Sequence, residues 1–403
     1  MGGASGAASG RLRAALLAAA AVSLPSTAAQ LVHVQRIDGS TAEGRVTRIA
    51  DAVELQTDAG PLRLGWDEMM AMRPASLAPT PAPAPGALTV ELADGSIITG
   101  RIVDRPDGAA LEFFGGAVRL DSRQLSEIRT TGASASASAR LAELRAEAEG
   151  AQDVLVAARG AESVVLRGVV KQIDAERITF TWNDKDTAVP WSRVAGVRFA
   201  RPTVRGASGA VVLHGGDVLA GRASSEDGQR VVLRSGLLGE VVLEWSQIER
   251  IEWRSERLVY LSTLRPARYE HTPLFDRPWP YRFDRTISGG PIRIGGRAYE
   301  RGVVMHSRSS LVFALDGGFD SFVATTGVVD EVRERGVVTL RVIGDGRTLW
   351  EAAGVRGGQP PREAVVRIRG VHELILEVDY DDDLDIGDHA AFAAARLIRA
   401  DAP

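Results

Sequence analysis

The side chains able to do chemistry gather in the last third of this 403-residue chain. His306 and His389 are imidazoles that can donate or accept a hydrogen bond near neutral pH. Asp388 stands directly before His389, and Asp330 and Glu331 form an adjacent carboxylate pair with Arg333 two places on. An acidic run, Asp379, Asp381, Asp382, Asp383, Asp385 and Asp388, offers the oxygen ligands that suit a hard cation. A structural calcium with Asp381, Asp383 and Asp385 as ligands is the metal reading; a solvated acidic loop is the simpler one. The run is not an EF-hand loop, because Gly387 falls one place late and no Glu fills the last ligand position. Trp279 and Tyr281 sit in Arg277-Pro278-Trp279-Pro280-Tyr281, a loop-like stretch able to expose aromatic surface.

Catalytic patterns are missing. Glycoside hydrolysis needs two carboxylates about 5–10 Å apart in a cleft, and no spacing here fixes such a pair. There is no nucleophile elbow, P-loop, dinucleotide fingerprint or zincin helix. With no cysteine, disulfides, thiolate metal sites and cysteine nucleophiles are excluded. A net charge of -4 gives no basic footprint for nucleic acid. The chain reads as a non-enzyme.

The elements that must position these residues come in a series. Arg11 and Arg13, an apolar run from Ala14 to Leu24, and the small residues Ser26-Thr27-Ala28-Ala29 read as a signal peptide over residues 1–29. Export to the periplasm or the medium follows, with no transmembrane span after its removal. Four segments then share a pattern: β repeats over 30–73, 87–131, 151–201 and 202–257. Three begin with a strand and a tight turn, Asp38-Gly39, Asp94-Gly95 and Gly215-Gly216, expected to be two-residue hairpins. All end on a lead residue, Trp66, Ser122, Trp191 or Trp245, with apolar residues three and six places later. That spacing predicts a 3₁₀ turn running into a last short strand, and the recurring Trp argues for core packing. Each segment is read as a small five-stranded SH3-like or Sm-like β-barrel or half-barrel, too small to stand alone. A Pro/Ala linker over 74–86 separates the first two. Residues 132–150 form a second linker, whose helix formers around Arg140, Leu141 and Leu144 predict a short spacer helix.

Beyond residue 258 the text changes. Strand-like runs alternate with turn signals such as Asp316-Gly317-Gly318, Gly344-Asp345-Gly346 and Gly357-Gly358, the pattern of an all-β sandwich. The order of Tyr260-Leu261-Ser262-Thr263-Leu264, Pro291 to Ser309, Phe319, Phe322, Asp330-Glu331, Val342 to Trp350, Ile368 to Leu376 and Gly387-Asp388-His389-Ala390-Ala391-Phe392 resembles the NPCBM family of carbohydrate-binding modules. The resemblance covers roughly 258–400 and implies a galactose-binding-like β-sandwich over 258–403. It also implies that the sandwich recognises a glycan or polysaccharide at one rim. The family's Asp-His motif usually continues with Ala, an acidic residue and Trp; Ala391 and Phe392 stand in the last two places here.

On that footing His306, Asp330, Glu331, Asp388, His389 and Phe392 are the carbohydrate-binding candidates. Each carries a structural alternative: a buried His fixing a loop, an Asp388 accepting backbone N–H groups, a local ion pair at Asp330-Glu331. Trp350 reads as core. The function expected is an exported, non-catalytic carbohydrate-binding protein with the β repeats as spacer or scaffold. The alternatives are an assembly module contacting cell-envelope proteins without sugar binding and, further off, a hydrolase.

Overall fold

A computed structural model describes residues 29–76, 86–113, 116–132, 135–146, 152–159, 162–200, 208–274, 278–381 and 386–400. Residues 1–28 of the expected signal peptide, 77–85 of the linker and 382–385 of the acidic run lie outside them. The chain is nearly all β. Among the described residues no helix is long and apolar enough to cross a membrane.

Four segments have one strand order. In the first, Leu31–Arg36 pairs with both Thr41–Ile49 and the last strand, Met69–Pro74, while Ala52–Thr57 and Gly60–Gly65 extend the meander. The segments starting at Leu88, Asp153 and Gly209 repeat that order. They are open rather than closed barrels, the half-barrel form of the SH3-like or Sm-like expectation. The second strand carries a glycine where it crowds the third. A Cβ on Gly100 would lie 2.1 Å from Glu112 O, and one on Gly168 2.0 Å from Thr181 O, so only glycine lets the strands approach there.

The lead-residue expectation holds for three of the four: 3₁₀ turns occupy Ser122–Gln124, Trp191–Arg193 and Trp245–Gln247, each running into a strand, while Trp66 to Glu68 form a simple turn before Met69–Pro74. The three tryptophans share one bond. Trp66 Nε1 donates to Ala50 O at 3.0 Å, Trp191 Nε1 to Asp174 O at 2.9 Å and Trp245 Nε1 to Gly228 O at 2.8 Å. The two-residue hairpins are corrected. Gly39, Gly95 and Gly216 donate to Arg36 O, Leu92 O and Leu213 O, with φ near +90° at each glycine. At Asp38-Gly39 and Asp94-Gly95 that is a type I turn closed by a glycine bulge, one residue longer than the form expected; at Gly215-Gly216 both glycines have positive φ, so the turn before the bulge is of the type II kind.

The chain divides into two compact units. One combines Met1–Gln30 with Ser76–Glu249. Within it the helix Ala135–Ala146 buries Ala137, Leu141 and Leu144 against Val154, Val156 and Ala195. The helix expected as a spacer thus packs on the segment that follows it.

The other unit combines Leu31–Ala75 with Arg250–Pro403. Its larger part is a two-sheet sandwich. One sheet runs Arg282–Phe283, Gly302–His306, His389–Arg399, Phe319–Val328, Arg362–Arg367, with Leu258–Tyr260 also on His389–Arg399. The facing sheet runs Arg268–His271, Ser309–Ala314, Glu373–Tyr380, Val337–Gly344, Arg347–Arg356. Alternating residues point inward, so Leu374, Leu376 and Val378 meet Phe313, Phe322 and Phe392 in one core.

The Asp38-Gly39 turn packs on this sandwich. Ile37 clusters with Val323 and Ile398, and a Cβ on Gly39 would lie 3.3 Å from Val323. Arg396, 3% exposed, donates from Nε to Ile37 O at 2.9 Å and from Nη1 to Ala394 O at 3.0 Å. Charged hydrogen bonds of this kind each contribute about 1.5–3 kcal/mol. Arg396→Ala is therefore expected to lower the stability of this unit by about 2–3 kcal/mol in denaturant melts. An unchanged midpoint would show that the buried guanidinium does not hold the turn to the sandwich.

Candidate functional site

Strand register builds the site. Gly302–His306 and His389–Arg399 pair antiparallel with His306 directly opposite His389. Directly opposed Cβ atoms in such a pair lie about 4.5–5.5 Å apart, so the two imidazoles meet because of where the strands end. The chain then turns at Ser307-Arg308, with Arg308 at φ +56°, and enters Ser309–Ala314 of the other sheet. There Ser309 lies opposite His271. One end of the sandwich thus carries histidines from both sheets.

Trp279 closes the group. Its ring stacks on His306 with centroids 5.0 Å apart and planes 5° apart. It meets His389 edge-on at 5.2 Å, and His306 and His389 are also 5.2 Å apart. His306 is 2% exposed and forms the floor, with Nδ1 3.3 Å from Ser307 Oγ. Trp279 is half-buried, and the His389 side chain keeps 15% of its surface. The stack therefore leaves aromatic surface beside an accessible imidazole.

Glu331 supplies the carboxylate. Its Oε1 lies 3.1 Å from His389 Nδ1, and its Oε2 accepts from Ser288 Oγ at 2.5 Å. Burial pulls this carboxyl upward, but hydrogen bonds from Ser288, Thr286 and His389 outweigh it and hold the group below the usual glutamate range. The local Arg333 pair weighed for this position gives way to His389.

The other candidates are placed differently. Asp330 accepts the Gly295 and Gly296 N–H groups at 2.7 and 2.8 Å, pinning a hairpin turn. Asp388 is fully buried, and its Oδ1 accepts from Val337 N at 3.1 Å while its carbonyl accepts from Ser307 N. It braces the strand ends behind the histidines and offers no surface to a ligand. Phe392 is corrected outright: it is fully buried in the sandwich core, opposite Val303 and Thr326, and presents no face to a sugar. His306 likewise acts from beneath, as support.

Of the metal candidates, Asp383 and Asp385 lie outside the described residues. Asp381 Oδ2 accepts from Gly354 N at 3.0 Å and Thr339 Oγ1 at 3.4 Å. Among the described residues no group of three or more His, Asp or Glu is placed to hold a metal ion. Trp350 is partly buried against the core, as read.

Sequence reasoning missed His271, Thr286 and Ser288 altogether. It flagged Trp279 as exposed aromatic surface without joining it to the histidines. The available signal was a Trp between two prolines, a segment that cannot enter a sheet interior.

The stability contributed by Glu331 is present above the unfolded glutamate pKa of about 4.3 and is lost as pH falls through its depressed folded value. Glu331→Gln is expected to cost about 1–2 kcal/mol at neutral pH. That deficit should vanish in strong acid, as read by urea melts across the acid limb. A deficit independent of pH would show that the ionised carboxylate is not the stabilising form.

The model of the NPCBM/NEW2 domain family matches residues 257–398. A Renibacterium salmoninarum protein carrying the name endo-alpha-N-acetylgalactosaminidase is 28% identical over 90 residues, which are 22% of this chain and 6% of that protein. The chain thus spans a small fraction of that relative's length. Similar solved structures include the CBM51 of Clostridium perfringens GH95 in complex with methyl-galactose: 24% identity, TM-score 0.32, covering 35% of this chain and 99% of that one. Another is CBM51-2 in complex with GlcNAc, with INT domains, from Clostridium perfringens ZmpB: 22% identity, TM-score 0.33, covering 42% of this chain and 36% of that one. The stretch that the NPCBM/NEW2 domain model matches is the stretch that folds as the two-sheet sandwich.

Proposed function

We propose that this chain is an exported, non-catalytic glycan-binding protein and that its sandwich takes the glycan at the Trp279–His306–His389 face. The observation that carries the reading is the half-buried Trp279, stacked on a buried imidazole with His389 and Glu331 at its side. A sugar presents an apolar face and a ring of hydroxyls. Aromatic surface takes the first, while an accessible imidazole and a fixed carboxylate take the second. The NPCBM/NEW2 match over the same residues supports it.

His389 and Glu331 are the polar contacts in this reading, with His306 as the platform's floor. Asp330 and Asp388 act through the backbone they brace. The four meander segments serve as spacer or scaffold, and Arg11 to Ala29 direct export. The alternative of an envelope assembly module predicts stable protein complexes without glycan binding.

The test is a glycan array probed with the full chain, followed by calorimetry on the best ligand. Trp279→Ala is expected to lower affinity roughly tenfold or more while the sandwich stays folded, with a modest drop in the midpoint of unfolding. Full binding by Trp279→Ala, or no binding on the array, would remove the reading. A structural calcium at Asp381, Asp383 and Asp385 belongs to the same proposal. Added calcium should then raise the melting temperature of the chelator-treated protein; no shift would dismiss the ion.

A further inference from the structure

Trp279 is tied to the sandwich through both of its backbone polar groups. Its N–H donates to His271 Nδ1 at 3.2 Å, and its carbonyl accepts from Tyr269 Oη at 2.6 Å. Tyr269 Oη also lies 3.1 Å from Ser309 Oγ. Tyr269 and His271 are two residues apart on the strand Arg268–His271, so they leave it on the same side. One strand therefore holds the segment that carries the indole.

The two tethers differ in kind. A tyrosine hydroxyl keeps its proton throughout the physiological range, and burial pushes Tyr269 higher still. The other tether depends on a lone pair. A backbone amide can only donate, so His271 Nδ1 must accept, and the ring must be neutral with its proton on Nε2. A proton on Nδ1 would set N–H against N–H and remove the bond.

We propose that His271 is a positioning residue for the Trp279 platform and holds it only in the neutral form, so that acid loosens the glycan-binding face. This rests on the reading of that face given above. Among the described residues, the titratable and charged groups around His271 come from several strands. His306 lies edge-on at 6.0 Å, and His306 in turn lies 5.2 Å from His389. Glu331 Oε1 is 3.1 Å from His389 Nδ1, and the fully buried Asp388 stands next to His389 at the strand end. Arg268 and Glu270 on the same strand pair with each other at 2.9 Å. Arg308, whose carbonyl accepts from Thr272 N, sets its guanidinium over Tyr380.

The test begins without a ligand. In the full chain labelled with ¹⁵N-histidine, six histidines give a resolvable set, and His271→Asn identifies the signal that belongs to His271. At about pH 7.5 that signal should report the Nε2–H tautomer; an Nδ1–H tautomer overturns the proposal. The Trp279 indole resonance, assigned by its loss in Trp279→Phe, should shift between about pH 7.5 and about pH 5 in the wild type. The shift should be clearly smaller in His271→Asn, whose amide oxygen replaces the acceptor and does not titrate, so that only the rings of His306 and His389 beside the indole still contribute. An equal shift in both proteins overturns the proposal.

Calorimetry with the best array glycan then reads the consequence. Wild-type affinity should fall about tenfold over that pH interval, and that of His271→Asn less than about threefold. His271→Phe should be weak at every pH, with His271→Asn recovering most of its loss at neutral pH. A wild-type slope in His271→Asn overturns the proposal. Absence of binding at every pH, with the tautomer and the indole shift as expected, overturns the glycan reading and leaves His271 as the anchor of Trp279.

Discussion

A polar ring buried beneath an aromatic one is the constraint on which this end of the sandwich depends. His306 is almost wholly enclosed, and taking an imidazole out of water is unfavourable unless its environment compensates. Trp279 covers its face, and Ser307 lies within hydrogen-bond reach of its Nδ1. An aromatic pair of this kind contributes about 0.5–1.5 kcal/mol beyond simple burial. It also fixes a plane. The position of His389 beside that plane follows from strand register, and Glu331 reaches it from the 3₁₀ turn Asp330–Val332.

That arrangement uses the sandwich as a rigid frame. The two histidine-bearing strands are clamped between Arg282–Phe283 on one side and Phe319–Val328 on the other. Phe392 and Phe322 anchor the same sheet in the core. Asp388 joins the strand ends to Val337 in the facing sheet, so one carboxylate oxygen keeps both sheets in register at the rim. The buried acid that looked like a ligand contact thus does its work from behind. Asp330 acts alike through the Gly295-Gly296 turn.

Much of this was legible in the sequence, for identifiable reasons. The Gly344-Asp345-Gly346 hairpin was readable because its residues demand positive φ, and Asp345 and Gly346 adopt +47° and +76° between the paired Gly344 and Arg347. The lead tryptophans were readable because a 3₁₀ turn has a fixed spacing. His306 and His389 could be named but not joined, since register across 83 residues is not written in either strand. Phe392 was misread because a strand buried on both faces loses the alternation that would have marked it as core. His271 was invisible because its role is to accept from a backbone amide, and no residue pattern encodes that. The packing of Ile37 and Gly39 on Val323 joins residues almost 300 apart and left no local trace.

The most direct measurement is a crystal structure of the full chain with its best array glycan. The expected result places a sugar ring in van der Waals contact with the Trp279 indole, about 4 Å away, with hydroxyls in hydrogen-bond reach of His389 or Glu331. A glycan seated elsewhere on the sandwich or on the meander segments, with Trp279 untouched, would contradict it.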